Sequence, residues 1–192
     1  MNILGEPIDI IEITGTIFGI IGVWLVVKKN ILNFPVGIVN VSMYALLFFR
    51  SKLYADASLQ IVYIVLLIYG WIQWNRKEEA VFHAVQTSVR LWMILLLIFV
   101  CSTFIIGAAF RSYTDASLPY FDSMLTSASL IAQWMIAKRK IENWLVWIAA
   151  DVLYVGMYIY KHLYFTSLLY FIFIFLAIAG WREWKKVLVR HE

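Results

Sequence analysis

Charge is scarce in this sequence, and its scarcity is the first constraint. Lysine, arginine, aspartate and glutamate together make up 15% of the 192 residues, where a soluble domain carries about 25%. A single cysteine, Cys101, excludes an internal disulfide; it lies inside an apolar run and reads as a small buried residue. Residues Met1 to Ile10 hold no Lys or Arg. No basic stretch with a cleavage site precedes the first apolar run, so no removable signal peptide is expected. The three histidines, His83, His162 and His191, form no metal-ligand spacing. His83 and His191 read as solvent-facing, and His162 as part of an outer loop. There is no Walker loop, no Gly-x-Ser-x-Gly and no zinc motif. An ATP-driven pump is therefore disfavoured unless a partner supplies the ATPase. No cofactor and no metal are expected.

What fills the chain is apolar. Hydrophobic residues make up 63% of it, against roughly 45–50% in soluble domains, and the mean hydropathy is +0.81. The pattern predicts an all-α membrane protein with seven transmembrane helices. The spans run over 11–27, 32–49, 58–74, 91–110, 120–137, 144–160 and 166–181, as a single transmembrane domain over 1–192 with a basic tail. The net charge of +4 sits in short loops and sets topology, so no nucleic-acid partner is implied. With seven spans, Arg50, Lys52, Arg111 and Lys161 share the side of the N-terminus. The other twelve basic residues, among them Lys28, Lys29, Lys138, Arg139 and Lys140, share the opposite side. Positive loops stay in the cytoplasm, which predicts an outer N-terminus and a cytoplasmic C-terminus in a bacterial inner membrane. Trp71, Trp74, Trp181 and Trp184, near span ends, read as interfacial anchors.

A shift of 110 positions aligns the two halves without a gap. Trp24 meets Trp134, Lys28-Lys29 meets Lys138-Arg139, Asn33 meets Asn143, and Tyr44 meets Tyr154. Leu53-Tyr54 meets Leu163-Tyr164, Gly70-Trp71 meets Gly180-Trp181, and Trp74 meets Trp184. Matched Asn, Gly and Trp at one offset exceed what apolar composition yields by chance. The reading is a repeat over 10–75, a linker helix at 91–110, and a second repeat over 120–185. Three spans reverse the side of the chain, so two like-oriented copies need one more crossing between them. That gives a 3+1+3 arrangement of parallel repeats, as in SWEET-type transporters, with a pathway between the two bundles.

Chemistry concentrates on the sixth span. At about 100° per residue, Asn143, Trp147, Asp151, Tyr154 and Tyr158 fall within roughly a quarter turn of one face. Asp151 lies deep in the span. A carboxylate there costs roughly 2.5–3.5 kcal/mol on insertion scales, and such groups face a bundle interior or a watery cavity. It is a counter-charge or hydrogen-bond acceptor for a substrate, or else a structural partner of another helix. Trp144, about 100° off the stripe, and Trp147 suit a flat or cationic ring; each also fits an anchoring role. The first copy carries Asn33, Gly37, Asn40 and Tyr44 on its stripe and no acid. Asn40 and Gln60 are amides in apolar runs, serving as interhelical glue or as substrate contacts. Glu12 and Asp122 occupy equivalent positions near outer helix ends. Helix capping suits Glu12, and Asp122 is placed at an outer entrance. The candidate substrate site is thus Asn143, Trp144, Trp147, Asp151, Tyr154, Asn40, Tyr44, Gln60 and Asp122.

These residues resemble a known family. Pro119-Tyr120-Phe121-Asp122-Ser123 and Lys138-Arg139-Lys140-Ile141-Glu142-Asn143-Trp144-Leu145-Val146-Trp147 are similar to segments of the PnuC vitamin-transporter family. So are Asn33 through Asn40, Leu53-Tyr54-Ala55, Gln60 and Tyr69-Gly70-Trp71. The resemblance spans nearly the whole chain, and its Asn-Trp-x-x-Trp motif falls on Asn143, Trp144 and Trp147. It implies uptake of nicotinamide riboside by facilitated diffusion, with thiamine or riboflavin in related branches. It also implies trapping by a cytoplasmic kinase in pyridine nucleotide salvage, and a full-length SWEET-like fold. Nicotinamide riboside and thiamine both carry a cationic aromatic ring, so Asp151 with tryptophans suits either; neutral, larger riboflavin fits less well. A proton-coupled variant using Asp151 stays open, as does a homo-oligomer. Outside the family, the rivals are an intramembrane enzyme using Asp151 and Asp122 as an acid/base pair, and a sensor without transport. The enzyme lacks a nucleophile motif, and its two carboxylates sit on different helices.

Overall fold

The computed structural model describes residues 2–3, 6–7, 10–50, 54–76, 82–113, 118–160, 162 and 164–189. Lys52, Leu53, Lys77, Glu78, Glu79, Asp115, Lys161, Leu163, Arg190 and His191 lie outside these residues, as do the side chains of Glu12 and Tyr54. Seven long helices carry the fold: α1 (Ile10–Val27), α2 (Asn33–Arg50), α3 (Tyr54–Trp74), α4 (Val89–Tyr113), α5 (Pro119–Ala137), α6 (Asn143–Tyr160) and α7 (Tyr164–Lys185). Two short strand pairs complete it. One is antiparallel between β1 (Asn2–Ile3) and β2 (Glu6–Pro7). The other is parallel between β3 (Ala84–Val85) and β4 (Leu188–Val189).

The helices form because long apolar runs without interior proline leave the backbone no partner but itself. Four of them hold apolar stretches of 18 residues or more. At 1.5 Å per residue each spans about 27 Å, close to the hydrocarbon thickness of a bilayer. Their outward faces are large and apolar, as on α4 at Met93, Leu97 and Phe104. Cys101 is exposed on that helix. The expectation that it is buried is corrected: α4 packs on α5, and most of its remaining surface faces outward.

Consecutive helices pack in two sets, α1–α2–α3 and α5–α6–α7, and the sets meet where α3 touches α5 and α1 touches α7. α5 is the most enclosed helix, because its interior positions are small: Ser123, Ser127, Ser129 and Ala132 are all nearly inaccessible. Small residues let helix backbones approach where lipid supplies no hydrophobic drive. The Ser123 hydroxyl lies 2.9 Å from the Thr103 carbonyl on α4, tying that helix to α5.

At the basic end, contacts recur at positions 110 apart. Lys29 and Arg139 both turn the chain with positive φ, 57° and 55°. The Asn33 amide donates to the Asn30 carbonyl at 2.7 Å, and the Asn143 amide to the Lys140 carbonyl at 2.6 Å. Phe34 fills the space over Gly70, and Trp144 fills the space over Gly180. The Trp74 indole donates to Ile136 O and the Trp184 indole to Val26 O, both at 3.1 Å. Each bond crosses from one set of helices to the other. Trp74 and Trp184 are 8% and 0% exposed, which corrects their reading as interfacial anchors. A buried indole needs a hydrogen-bond partner, and each finds one in the opposite half. Trp71, by contrast, is 40% exposed.

Candidate functional site

A cavity of about 1060 Å³ lies between the two sets of helices. That is the upper end of the usual size of a small-molecule site. Every helix except α4 contributes to its wall. From α1 come Thr16 and Gly19, from α2 Asn40 and Tyr44, and from α3 Gln60 and Tyr63. The opposite wall has Ser129 and Gln133 on α5, then Trp144, Trp147, Asp151, Tyr154 and Tyr158 on α6. Tyr170 and Phe173 on α7 close the side. His162 and Tyr164 lie at one end, linked by a 3.0 Å hydrogen bond. Val26, Ile136, Trp144 and Ala177 lie at the other, basic end.

Seven of the nine candidate residues line this space: Trp144, Trp147, Asp151, Tyr154, Asn40, Tyr44 and Gln60. Asn143 and Asp122 are not among the lining residues. Asn143 is fully buried behind the wall, its amide nitrogen given to the turn before α6. Asp122 sits in the first turn of α5, outside the lining that holds Asp151. The acid/base pair required by the enzyme reading is therefore not assembled around this cavity. Among the described residues no cluster of three or more His, Cys, Asp or Glu side chains could hold a metal.

The two tryptophans of α6 play different parts. Trp144 is 1% exposed and meets Trp184 edge-on at 5.4 Å; it forms part of the end wall. Trp147 is only partly buried and presents its ring to the open space. At the equivalent position of the first half, Gly37 lets Leu67 approach to 3.0 Å of where a Cβ would stand. One side of the chamber is thus filled by a helix-borne indole and the other by close helix packing.

Asp151 is 2% exposed, and its Oδ1 has no hydrogen-bond partner. Among the described lining residues it is the only acid, and no Lys or Arg is among them. Burying an unpaired carboxylate is costly, and a cation brought alongside offsets that cost. The surrounding tyrosines are themselves stacked, Tyr154 on Tyr158 at 5.9 Å and Tyr158 on Tyr170 at 5.2 Å. The opposite wall is more amidic. Asn40 donates to the Gly15 carbonyl at 2.6 Å, which fixes its amide plane. Tyr44 is held by Thr16 at 3.2 Å.

Ser129, Gln133, Tyr63 and Tyr170 are among the lining residues that escaped the sequence reading. Ser129 and Gln133 are four apart on α5, hence on one face. A buried amide in an apolar run was the signal that marked Gln60, and Gln133 carries the same signal. Tyr170 occupies the position equivalent to Gln60, so the repeat itself pointed to it.

Comparison with known proteins places the chain among vitamin transporters by sequence and fold. A family profile described as "Nicotinamide mononucleotide transporter" matches residues 9–186. The nicotinamide riboside transporter PnuC of Escherichia coli (strain K12) is 28% identical, over 94% of this chain and 87% of its own. PnuC of Neisseria mucosa is 26% identical, over 91% and 71%. The riboflavin/roseoflavin transporter RibM of Streptomyces davaonensis is 24% identical, over 90% and 83%. The crystal structure of a vitamin B3 transporter PnuC has the same fold, with a TM-score of 0.71 and 23% identity over 92% of this chain and 81% of that one.

Proposed function

The chain belongs to the nicotinamide mononucleotide transporter family, and from that premise we propose that it carries nicotinamide riboside into the cell by facilitated diffusion. One observation supports this choice above the others: a single acid, Asp151, with an unpartnered Oδ1, beside a partly open tryptophan, in a chamber whose described lining holds no Lys or Arg. A pyridinium ring answers both features, because it is flat and positive. Trp147 takes its face, with a cation–π attraction of about 1–2 kcal/mol once water is excluded, and Asp151 balances its charge. Asn40, Gln60 and Gln133 bond the ribose hydroxyls and the carboxamide. Tyr44 and Tyr154 line the sides, and Trp144 closes the end. Asn143 stands behind the wall and holds the turn that aims Trp144.

The family description names a mononucleotide, but this wall favours the nucleoside. A phosphate would bring negative charge toward Asp151 and meet no cationic side chain among the described lining residues. Desolvating such a group without a partner is costly. The cationic nucleoside enters and is then phosphorylated by a cytoplasmic kinase, which keeps the inward gradient without a coupling ion.

The helices supply the frame. We read α1–α3 and α5–α7 as like-oriented copies about an axis along the membrane normal, joined by α4. The reciprocal indole bonds of Trp74 and Trp184 support that reading, since a two-fold axis exchanges one with the other. The basic end faces the cytoplasm by the distribution of Lys and Arg. Rocking of one copy against the other then exposes the chamber to each side in turn.

Calorimetry on purified protein with nicotinamide riboside, nicotinamide mononucleotide, thiamine and riboflavin tests the assignment. The riboside should bind and the mononucleotide should not. Binding of thiamine alone, or riboflavin alone, would overturn the choice of substrate.

A further inference from the structure

Beneath the basic end of the cavity lies a layer that the substrate site does not use. Trp74 and Trp184 face each other there with ring centres 6.0 Å apart. Phe82 is wedged against both, at 4.8 Å from Trp74 and 4.9 Å from Trp184. The Arg139 guanidinium covers the Phe82 ring at 5.3 Å and the Trp74 ring at 6.0 Å, and donates to the Trp74 carbonyl at 3.4 Å. Burial pushes the pKa of this guanidinium down. Trp184 in turn supports Trp144, which is the end wall of the cavity. Phe82 is therefore the last layer between the chamber and the basic side.

Phe82 does not belong to a helix. It begins the segment 82–88 that leads into α4, and connecting segments ordinarily lie loosely on a surface. This one is fastened. Ala84 is fully buried and donates to Val187 O at 3.1 Å. Val85 donates to Arg139 O at 3.0 Å and accepts from Ile141 N at 3.1 Å. The Glu142 carboxylate receives the Thr87 backbone N–H at 3.0 Å and the Thr87 hydroxyl at 2.7 Å. Lys140 reaches Gln86 O at 2.9 Å. Every one of these partners lies either in the turn between α5 and α6 or just after α7, so the strap ties to one half while its Phe82 presses on Trp74 of the other. The opposite turn, 28–32, has no equivalent strap among the described residues.

We propose that residues 82–88 form the inner gate of the transport pathway, a strap whose Phe82 plugs the basic end and whose Thr87–Glu142 clasp must release for the chamber to open there. The inference rests on the transport reading above and adds to it the element that moves. Opening must part Trp74 from Trp184, and Phe82 bridges them. Rocking of the halves parts Phe82 from Trp74 but leaves it on Trp184 of its own half, so only release of the strap from the α5–α6 turn withdraws it from the pathway.

Two measurements test it. In a Cys101→Ala background, Val85→Cys and Lys140→Cys occupy bridge-paired positions; paired strands lie about 4.8 Å apart, within disulfide reach. In proteoliposomes, oxidation should cut nicotinamide riboside uptake about ten-fold or more, as expected when a gating motion limits turnover, and reduction should restore it. Binding of the riboside to the oxidised protein should persist. Separately, Ala177→Cys reports access to the chamber's basic end without any substrate. Thr87→Val, which removes the hydroxyl bond to the Glu142 carboxylate, and Phe82→Ala, which removes the plug itself, should each raise its labelling by an impermeant maleimide from the basic side about ten-fold, the shift in a two-state balance expected for one lost bond to a charged group or one lost buried ring. Unchanged uptake in fully oxidised protein, or unchanged labelling in both variants, overturns the gate. Raised labelling in protein that takes up no nicotinamide riboside in any form leaves the gate standing and removes the substrate.

Discussion

Gly180→Ala is the most exacting test of how the end wall is built. Gly180 sits in α7 with the Trp144 ring against it, and an added Cβ would collide with three atoms of that ring. The ring has nowhere to go. It is 1% exposed and packed edge-on against Trp184, which is fully buried and bonded to Val26 O. Overpacking a closed site costs about 1–3 kcal/mol, and three simultaneous clashes with a rigid indole place this one near the top of that range. Alanine returns about 0.5–1 kcal/mol of helix preference over glycine. The net expectation is a loss of about 2 kcal/mol. Gly156→Ala supplies the control, because a Cβ there meets nothing within 4 Å. It should gain about 0.5–1 kcal/mol. The gap between the two variants, about 3 kcal/mol, then isolates the clash. Unfolding in a detergent titration followed by tryptophan fluorescence measures both. Gly180→Ala as stable as Gly156→Ala would refute the packing, and with it the placement of Trp144 as the end wall.

Three further outcomes follow from the same geometry. Asp151→Asn should weaken nicotinamide riboside about ten- to a hundred-fold in calorimetry, the worth of a charged hydrogen bond. The reduced riboside, whose ring is neutral, should lose far less, and equal losses for the two would separate Asp151 from the ring's charge. Trp147→Ala should cost about ten-fold in affinity through lost cation–π contact; unchanged affinity removes it from the site. Trp74→Phe and Trp184→Phe each remove one indole bond across the interface, while Ile136 O and Val26 O keep the turn amides of Arg139 and Lys29; they should destabilise by similar amounts, about 0.5–1.5 kcal/mol. A loss confined to one of them would argue against the two-fold relation of the halves.

Much of this was legible in the sequence because it was local or periodic. Seven apolar runs marked the helices to within about four residues; α3 begins four residues early, at Tyr54, and α7 runs four residues on, to Lys185, because Arg182 and Lys185 can extend past an apolar boundary without ending the helix. The stripe of α6 brought Trp147, Asp151 and Tyr154 to one wall. What stayed hidden depended on contacts between distant segments. Trp184 has the profile of an anchor until Val26 is known to be its partner, 158 residues away. Asn143 shares the stripe of Asp151, yet a hydrogen bond to the preceding turn takes its amide out of the chamber. Cys101 lies in an apolar run, but apolar does not mean buried where lipid is the solvent. The segment 82–88 reads as a polar connection, and its role emerges only when Thr87 meets Glu142, 55 residues on.

The account turns on a cationic nucleoside crossing through this chamber without a coupling ion. Proteoliposomes preloaded with unlabelled nicotinamide riboside, with equal pH and salt on both sides, measure that directly. Labelled riboside should enter by exchange, and excess nicotinamide mononucleotide should not slow it. Absence of uptake, or uptake that appears only when a proton gradient is imposed, would contradict the account.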